Sequence, residues 1–376
     1  MAETFVVEQK PLLAILASMQ PICSKRTTLD ATASILFNAG PRELILKSTD
    51  LEISLQSSYP TKGSSLNDTQ SFLVNGKRLF DIVKELDGEI TCTLSKSQLS
   101  LTSGSIRLAL NVKDAQEFPP FPERIENLMQ LESRFLLDLL DKVAFLIPQN
   151  NANPALNGLY LEINDKHLVM TTTDGHCLAQ LETDRYKLDT PHHWLLPRRA
   201  VLELKKILES AADESVFLGT CGNQLVFSGE TFNFFTKLLV NPFPEYKGIL
   251  DKKGFMPATI DRSGLVKTLR RSSCLLSGQF IATTFGFKDN NVDVTMHNKE
   301  VGKLEERLAV GELQSEGLDI RFYAPYLLSG LNVFSEDTVR FYLQSPAKPI
   351  IFETTEHSKF NLIYLVMPVS PTAMQS

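Results

Sequence analysis

Several features that announce a particular chemistry are missing from this chain. No stretch approaches the roughly 18 uninterrupted apolar residues that a membrane span needs. The five cysteines (Cys23, Cys92, Cys177, Cys221 and Cys274) are scattered, with no CxxC pair. That spacing argues against a zinc site or a disulfide frame and for reduced thiols. The sequence contains no GxSxG elbow, no GxxxxGK[ST] phosphate loop and no HExxH, so three common catalytic designs have no footing. Basic residues are in deficit, with 38 Lys and Arg against 44 Asp and Glu and a net charge of −6. A surface that coats nucleic acid all over is thereby excluded, because phosphate contacts need Lys and Arg. Basic groups confined to one face are not excluded. The opening MAETFVVEQK has an early acid and no basic flank before an apolar run, so no secretory signal is expected and a cytoplasmic location is.

What is present is ordinary globular composition, 376 residues with 43% hydrophobic and 22% charged, enough for two or three domains with their own cores. The informative feature is internal repetition. FLVNGKRLFDIVKEL at 72–86, LLPRRAVLELKKIL at 195–208 and RFYAPYLLSGLNVF at 321–334 share an apolar entry, a Pro or Gly break and a helical stretch. Val74, Leu196 and Phe322 hold the same place, 122 and then 126 residues apart. A second set, beginning at 42, 166 and 290, reads as strand, polar turn, strand. A third begins at 105, 231 and 359, where Phe232 and Asn233 recur as Phe360 and Asn361 at a spacing of 128. A period near 125 is the size of a domain, not of a solenoid unit. Three domains are therefore expected at 1–127, 128–253 and 254–376, joined at EFPPFPERIEN (117–127) and PFPEYKGILDKKGF (242–255).

Each repeat reads as two helices and several short strands. The first helices are expected near Val7–Met19, Leu131–Ile147 and Ile260–Leu276, and the rest alternates with period two between Gly, Asn and Asp turns. The fold class is α+β, with antiparallel sheets burying one face under the helices. Basic residues crowd the helices: Lys77, Arg78 and Lys84; Arg198, Arg199, Lys205 and Lys206; Lys267, Arg270 and Arg271; Lys25 and Arg26 follow the first helix. On any one helix this is the ordinary solvated face, but equivalent positions on repeated domains point to a common basic side. Tyr323–Phe334 carries no Lys or Arg, so that side is uneven.

Two clusters invite an enzymatic reading and neither sustains it. Asp174-Gly175-His176 resembles an acid–base pair, yet Asp-Gly between two strands is a favoured hairpin turn. His192 and His193 suggest a metal, but neighbours on a strand face opposite ways. No cofactor and no metal are expected.

LNG at 156–158, TTDGHCLA at 172–179, LPRRAVLEL at 196–204, FPEY at 243–246 and YLVMPV at 364–369 together resemble the beta subunit of bacterial DNA polymerase III. The similarity runs from RTTL at 26–29 to Val369. The resemblance implies the DNA clamp fold, a non-catalytic protein, and a head-to-tail homodimer closing six similar domains around double-stranded DNA. It implies a pocket for a short peptide with glutamine and apolar anchors. The partners carrying that peptide would be the DNA polymerase III catalytic subunit, the clamp loader, other polymerases and repair proteins. Matching positions are Leu156, Thr173, Gly175, His176, Leu178, Pro244, Ile249, Tyr326, Val366, Met367, Pro368 and Val369. For DNA, Arg26, Lys77, Arg78, Asn150, Arg198 and Arg199 match or adjoin the family's lumen positions. At the dimer seam, Arg107 and Leu108 would face Cys274, Leu275, Leu276, Glu305 and Glu306 of the partner copy. The chain departs from the family pattern at Cys177 and Gly248, usually Arg, and at Tyr323, often Asn; Pro371–Ser376 extend past the usual end. These departures put peptide preference in doubt and leave a divergent clamp, or a protein scaffold that does not use DNA, as rival readings.

Overall fold

The computed structural model describes residues 3–369 except 25–26, 211–212, 278–280, 314, 316 and 356–358. Arg26 and Pro371–Ser376 thus lie outside the described residues. Among the described residues, a strand leads into a helix and three strands follow, six times over. The first such motif is β1 (Glu3–Glu8), α1 (Gln9–Cys23), β2 (Ser34–Ala39), β3 (Glu43–Thr49) and β4 (Ile53–Pro60). The second is β5 (Gln70–Asn75), α2 (Gly76–Lys84), β6 (Glu89–Leu94), β7 (Gln98–Ser103) and β8 (Ile106–Asp114). The third is β9 (Glu126–Glu132), α3 (Ser133–Val143), β10 (Gly158–Ile163), β11 (Leu168–Thr173) and β12 (Cys177–Thr183). Next come β13 (His192–Pro197), α4 (Arg198–Ser210), β14 (Ser215–Cys221), β15 (Gln224–Ser228) and β16 (Phe232–Lys237). The fifth is β17 (Met256–Asp261), α5 (Arg262–Ser273), β18 (Thr283–Lys288), β19 (Asn291–Asn298) and β20 (Gly302–Gly311). The last is β21 (Leu318–Phe322), α6 (Ala324–Leu331), β22 (Thr338–Leu343), β23 (Ile350–Glu353) and β24 (Asn361–Val366).

Local chemistry accounts for the strand-to-helix switch. In β1, Phe5 and Val7 alternate inward; in α1, Leu12, Leu16, Met19 and Ile22 are buried at helical spacing. The expected helix at Val7–Met19 therefore starts two residues late, because Val7 belongs to the strand. Asn75 caps α2 by accepting from the Arg78 amide at 3.0 Å, and Asp261 caps α5 through Gly264 at 2.5 Å. No helix among the described residues is long and apolar enough to cross a membrane.

The motifs complete one another in pairs. The lead strand of each lies against the second strand of its neighbour: β1 on β6 and β5 on β2, β9 on β14 and β13 on β10, β17 on β22 and β21 on β18. The chain packs as two compact units, residues 1–137 with 199–238 and residues 138–198 with 239–376. Each holds one twelve-stranded antiparallel sheet. The first runs β1-β6-β7-β8-β5-β2-β3-β4-β16-β15-β14-β9 and the second β13-β10-β11-β12-β24-β23-β22-β17-β20-β19-β18-β21.

Fourth strands join the motifs side by side. Ile53–Ser57 of β4 pair with Thr236–Phe232 of β16, and Cys177–Glu182 of β12 pair with Val366–Asn361 of β24. The two other fourth strands, β8 and β20, behave differently. Ile106–Asn111 pair only with β7, and β5 takes up the ladder only at Val112–Asp114. Gly302–Ala309 pair only with β19, and β17 meets only Val310 and Gly311. Among the described residues, both segments keep one edge open.

Candidate functional site

All twelve residues expected to bind peptide fall in the second unit. Between β11 and β12 the chain turns at Asp174–Gly175, with Gly175 at a φ of 95°, where a side chain would be strained. The Asp174 carboxylate accepts from the amides of His176 at 2.8 Å and Cys177 at 2.7 Å. Thr173 Oγ1 donates to the Cys177 carbonyl at 2.6 Å and accepts from the Gly175 amide at 3.1 Å. Asp174 is thus a turn former. The turn holds His176 exposed and stacked on Tyr326, ring centres 5.5 Å apart and 17° from parallel. Tyr323 meets Tyr326 edge-on at 5.0 Å.

The end of β24 forms the neighbouring wall. The Met367 amide donates to the His176 carbonyl at 2.9 Å, and Val369 donates to Arg321 at 2.8 Å. Met367 is 38% exposed, whereas Val366 and Leu178 are buried. Leu156 stands 3.8 Å from where a side chain on Gly175 would begin. Thr173, like Leu178 and Val366, is buried, so these three do not face solvent. Pro244 and Ile249 are exposed on the segment that carries Tyr246, and Tyr246 packs on Leu178, Ile351 and Leu365.

The family departures have distinct local settings. Cys177 is buried and burial pushes its thiol up to about 12, as it does at Cys23 and Cys92. Such thiols are poor nucleophiles. Gly248 has open space where a side chain would stand. Tyr323 enlarges the aromatic ledge. Sequence reasoning did not select Tyr364, whose hydroxyl donates to the Tyr326 carbonyl at 2.7 Å, or Glu162, which holds Tyr246. Tyr364 opens the YLVMPV segment at 364–369; nothing in the sequence distinguishes Glu162 from any outward strand residue.

The DNA candidates separate into exposed and engaged groups. Lys77 and Arg78 are exposed at the start of α2, and Asn150 is exposed beyond α3. Arg198 is half-buried and donates from Nε to the Ile147 carbonyl at 3.0 Å. Arg199 pairs with Asp50, whose side chain is fully buried, and donates to the Pro21 carbonyl at 3.1 Å. Burial raises the Asp50 pKa, but the amides of Ile53 and Glu52 and the Arg199 guanidinium outweigh it and hold the carboxyl below its usual range.

At the expected seam, Leu108 and its neighbour Ile106 are exposed large apolar residues on β8, and Arg107 between them is exposed. Cys274 is exposed after α5, with Leu275 and Leu276 half-buried. Glu305 and Glu306 lie on β20, where Glu305 pairs with Lys303 at 3.3 Å and Glu306 with Arg271 at 3.0 Å. His192 and His193 do face opposite ways: His192 stacks on Trp194, and His193 lies tilted by 52° beside Tyr160.

The paired βαβββ motifs thus carry a fixed turn, an aromatic ledge and two open strand edges. Comparison with known proteins narrows this. The family model for the N-terminal domain of the DNA polymerase III beta subunit matches residues 3–122, that for the central domain 130–245, and that for the C-terminal domain 248–370. The beta sliding clamp of Haemophilus influenzae is 28% identical over 368 residues, covering 97% of this chain and 99% of that protein. That of Pseudomonas aeruginosa is 26% identical over 370 residues, again 97% and 99%. A solved DNA polymerase III beta subunit from Pseudomonas aeruginosa superposes with a TM-score of 0.89 at 25% identity, covering 97% of this chain and 99% of that one. A sliding clamp from Bartonella birtlesii, solved bound to griselimycin, gives 0.88 at 25%, covering 98% and 100%. The chain belongs to the DNA polymerase III beta subunit family, and so is a DNA sliding clamp with the clamp fold. Its role is that of a non-catalytic processivity subunit, not an enzyme.

Proposed function

We propose that two copies of this chain, each of three domains at 1–127, 128–253 and 254–376, close head to tail into a ring around duplex DNA. The open edges of β8 and β20 carry this reading. Elsewhere fourth strands pair with fourth strands, β4 with β16 and β12 with β24. The pattern is completed if β8 of one copy takes β20 of the next, bringing Arg107 and Leu108 toward Glu305 and Glu306, with Cys274, Leu275 and Leu276 beside them. Such an interface joins an apolar centre to opposite charges.

Lys77, Arg78, Asn150 and Arg198 supply phosphate contacts without base readout, which permits sliding; Arg26 belongs with them by resemblance. Arg199 is committed to Asp50 and contributes charge from a fixed place. Enclosure, not tight contact, holds the DNA. Leu156, Gly175, His176, Tyr326, Met367, Pro368 and Val369, over a floor of Thr173, Leu178 and Val366, receive an extended peptide, with Pro244 and Ile249 as the farther wall. The partners are the DNA polymerase III catalytic subunit, the clamp loader, and other polymerases and repair proteins. Tethering raises the polymerase's effective concentration at the primer end.

The test is topological. With a clamp loader and ATP, the protein is expected to stay on nicked circular DNA and to leave when the circle is cut. Retention that ignores linearisation would overturn enclosure.

A further inference from the structure

The segment carrying Pro244 and Ile249 has little backbone support. Leu239 donates to the Leu195 carbonyl at 2.9 Å and Ile249 to Tyr246 at 3.0 Å. Between Val240 and Gly248, no backbone–backbone hydrogen bond to the strands beneath occurs among the described residues. Pro242 and Pro244 have no amide to give, and Gly248 has no side chain to pack. The order of the segment therefore depends on side chains.

Two aromatic rings provide adhesion. Phe243 stacks on Tyr160, centres 4.8 Å apart and 5° from parallel, and meets Tyr246 edge-on at 5.8 Å. Adhesion of this kind does not fix a position along the surface, whereas a hydrogen bond does. The Tyr246 hydroxyl donates to Glu162 Oε2 at 2.6 Å and accepts from Thr171 Oγ1 at 3.1 Å and Gln180 Nε2 at 3.2 Å. These partners come from β10, β11 and β12, three adjacent strands. The second Glu162 oxygen accepts from Lys247 Nζ at 3.1 Å. One carboxylate thus grips two successive residues at the start of the Lys247–Leu250 turn that displays Ile249.

We propose that Tyr246 and Glu162 form a strut that positions Ile249 and Pro244 for the incoming peptide. Tyr246 is a positioning residue: its ring is buried on Leu178, Ile351 and Leu365, out of a ligand's reach. The inference rests on the proposed peptide site. Without the strut the turn samples other placements, and the observed affinity falls with the fraction of competent conformers.

The probe is a fluorescent synthetic peptide with a glutamine and apolar anchors, titrated onto the full-length protein. Tyr246→Phe keeps the ring and removes the hydroxyl; it should weaken binding about tenfold and speed amide exchange over Lys247–Leu250 with little change in melting temperature. Glu162→Gln still accepts the hydroxyl and should retain most of the affinity, whereas Glu162→Leu should match Tyr246→Phe. A merely structural role would lower melting temperature in all three without this ranking. Unchanged affinity or unchanged exchange in Tyr246→Phe, with Met367→Asp abolishing binding, would overturn the strut and leave the site standing. Binding untouched by Met367→Asp would reject the site and the strut together.

Discussion

Arg199 shows how a basic residue in a lining pattern can be spent on the fold. Its Asp50 partner is fully buried, and removing one member of a buried pair strands the other charge. Arg199→Ala should therefore cost on the order of 3 kcal/mol in denaturant melts, while Arg198→Ala should cost clearly less. Poor DNA loading by an Arg199 variant would reflect instability before electrostatics. Because the folded Asp50 carboxyl titrates below its usual value, its contribution is complete above the ordinary aspartate range. It is lost as pH falls through the depressed value. Asp50→Asn should flatten the stability profile in that acidic window; an unchanged slope there would refute the assignment. At this scale the Asp174–Gly175 turn is legible in the sequence, since Asp-Gly between alternating strands has a local cause. The Arg199–Asp50 pair and the Glu162–Tyr246 contact are not, because each joins residues far apart whose types fit a solvated surface equally well.

At the level of elements, apolar period places the six helices of the described residues to within a few residues, and the early starts of the first, third and fifth have a common form. Leu131 and Ile260, like Val7, sit in strands that run straight into helices, so an inward-facing strand residue extends the apparent helical run. The half-length βαβββ motif also escapes the sequence. Only its strand exchange gives it away, and pairing partners across a domain leave no periodic trace. Helix α6 shows how tightly these pieces fit. A Cβ on Gly330 would fall inside the buried Tyr364 ring. Gly330→Ala should push α6 off β24, lowering stability by roughly 1–3 kcal/mol. It should also weaken peptide binding, since Tyr364 holds the Tyr326 carbonyl. A melting curve and a peptide titration check both; a neutral substitution would contradict the packing.

For the molecule as a whole, the open edges make a prediction about copy number. Native mass should show two chains, and Leu108→Asp should shift the distribution toward one, since it places a charge in the apolar centre of the proposed seam. Alkylation of the exposed Cys274 should be slow in the paired protein and fast in that variant. Equal rates would remove Cys274 from the seam.

The two edges differ, one on β8 and one on β20, so a copy spoiled at Leu108 still offers a sound β20 to a healthy neighbour. It would be recruited rather than ignored. In cells making equal amounts of altered and unaltered chain, a share of the unaltered copies would then be held in pairs with only one sound seam. A lesion at a single strand edge would then act as a poison to replication, dominant over the intact copy.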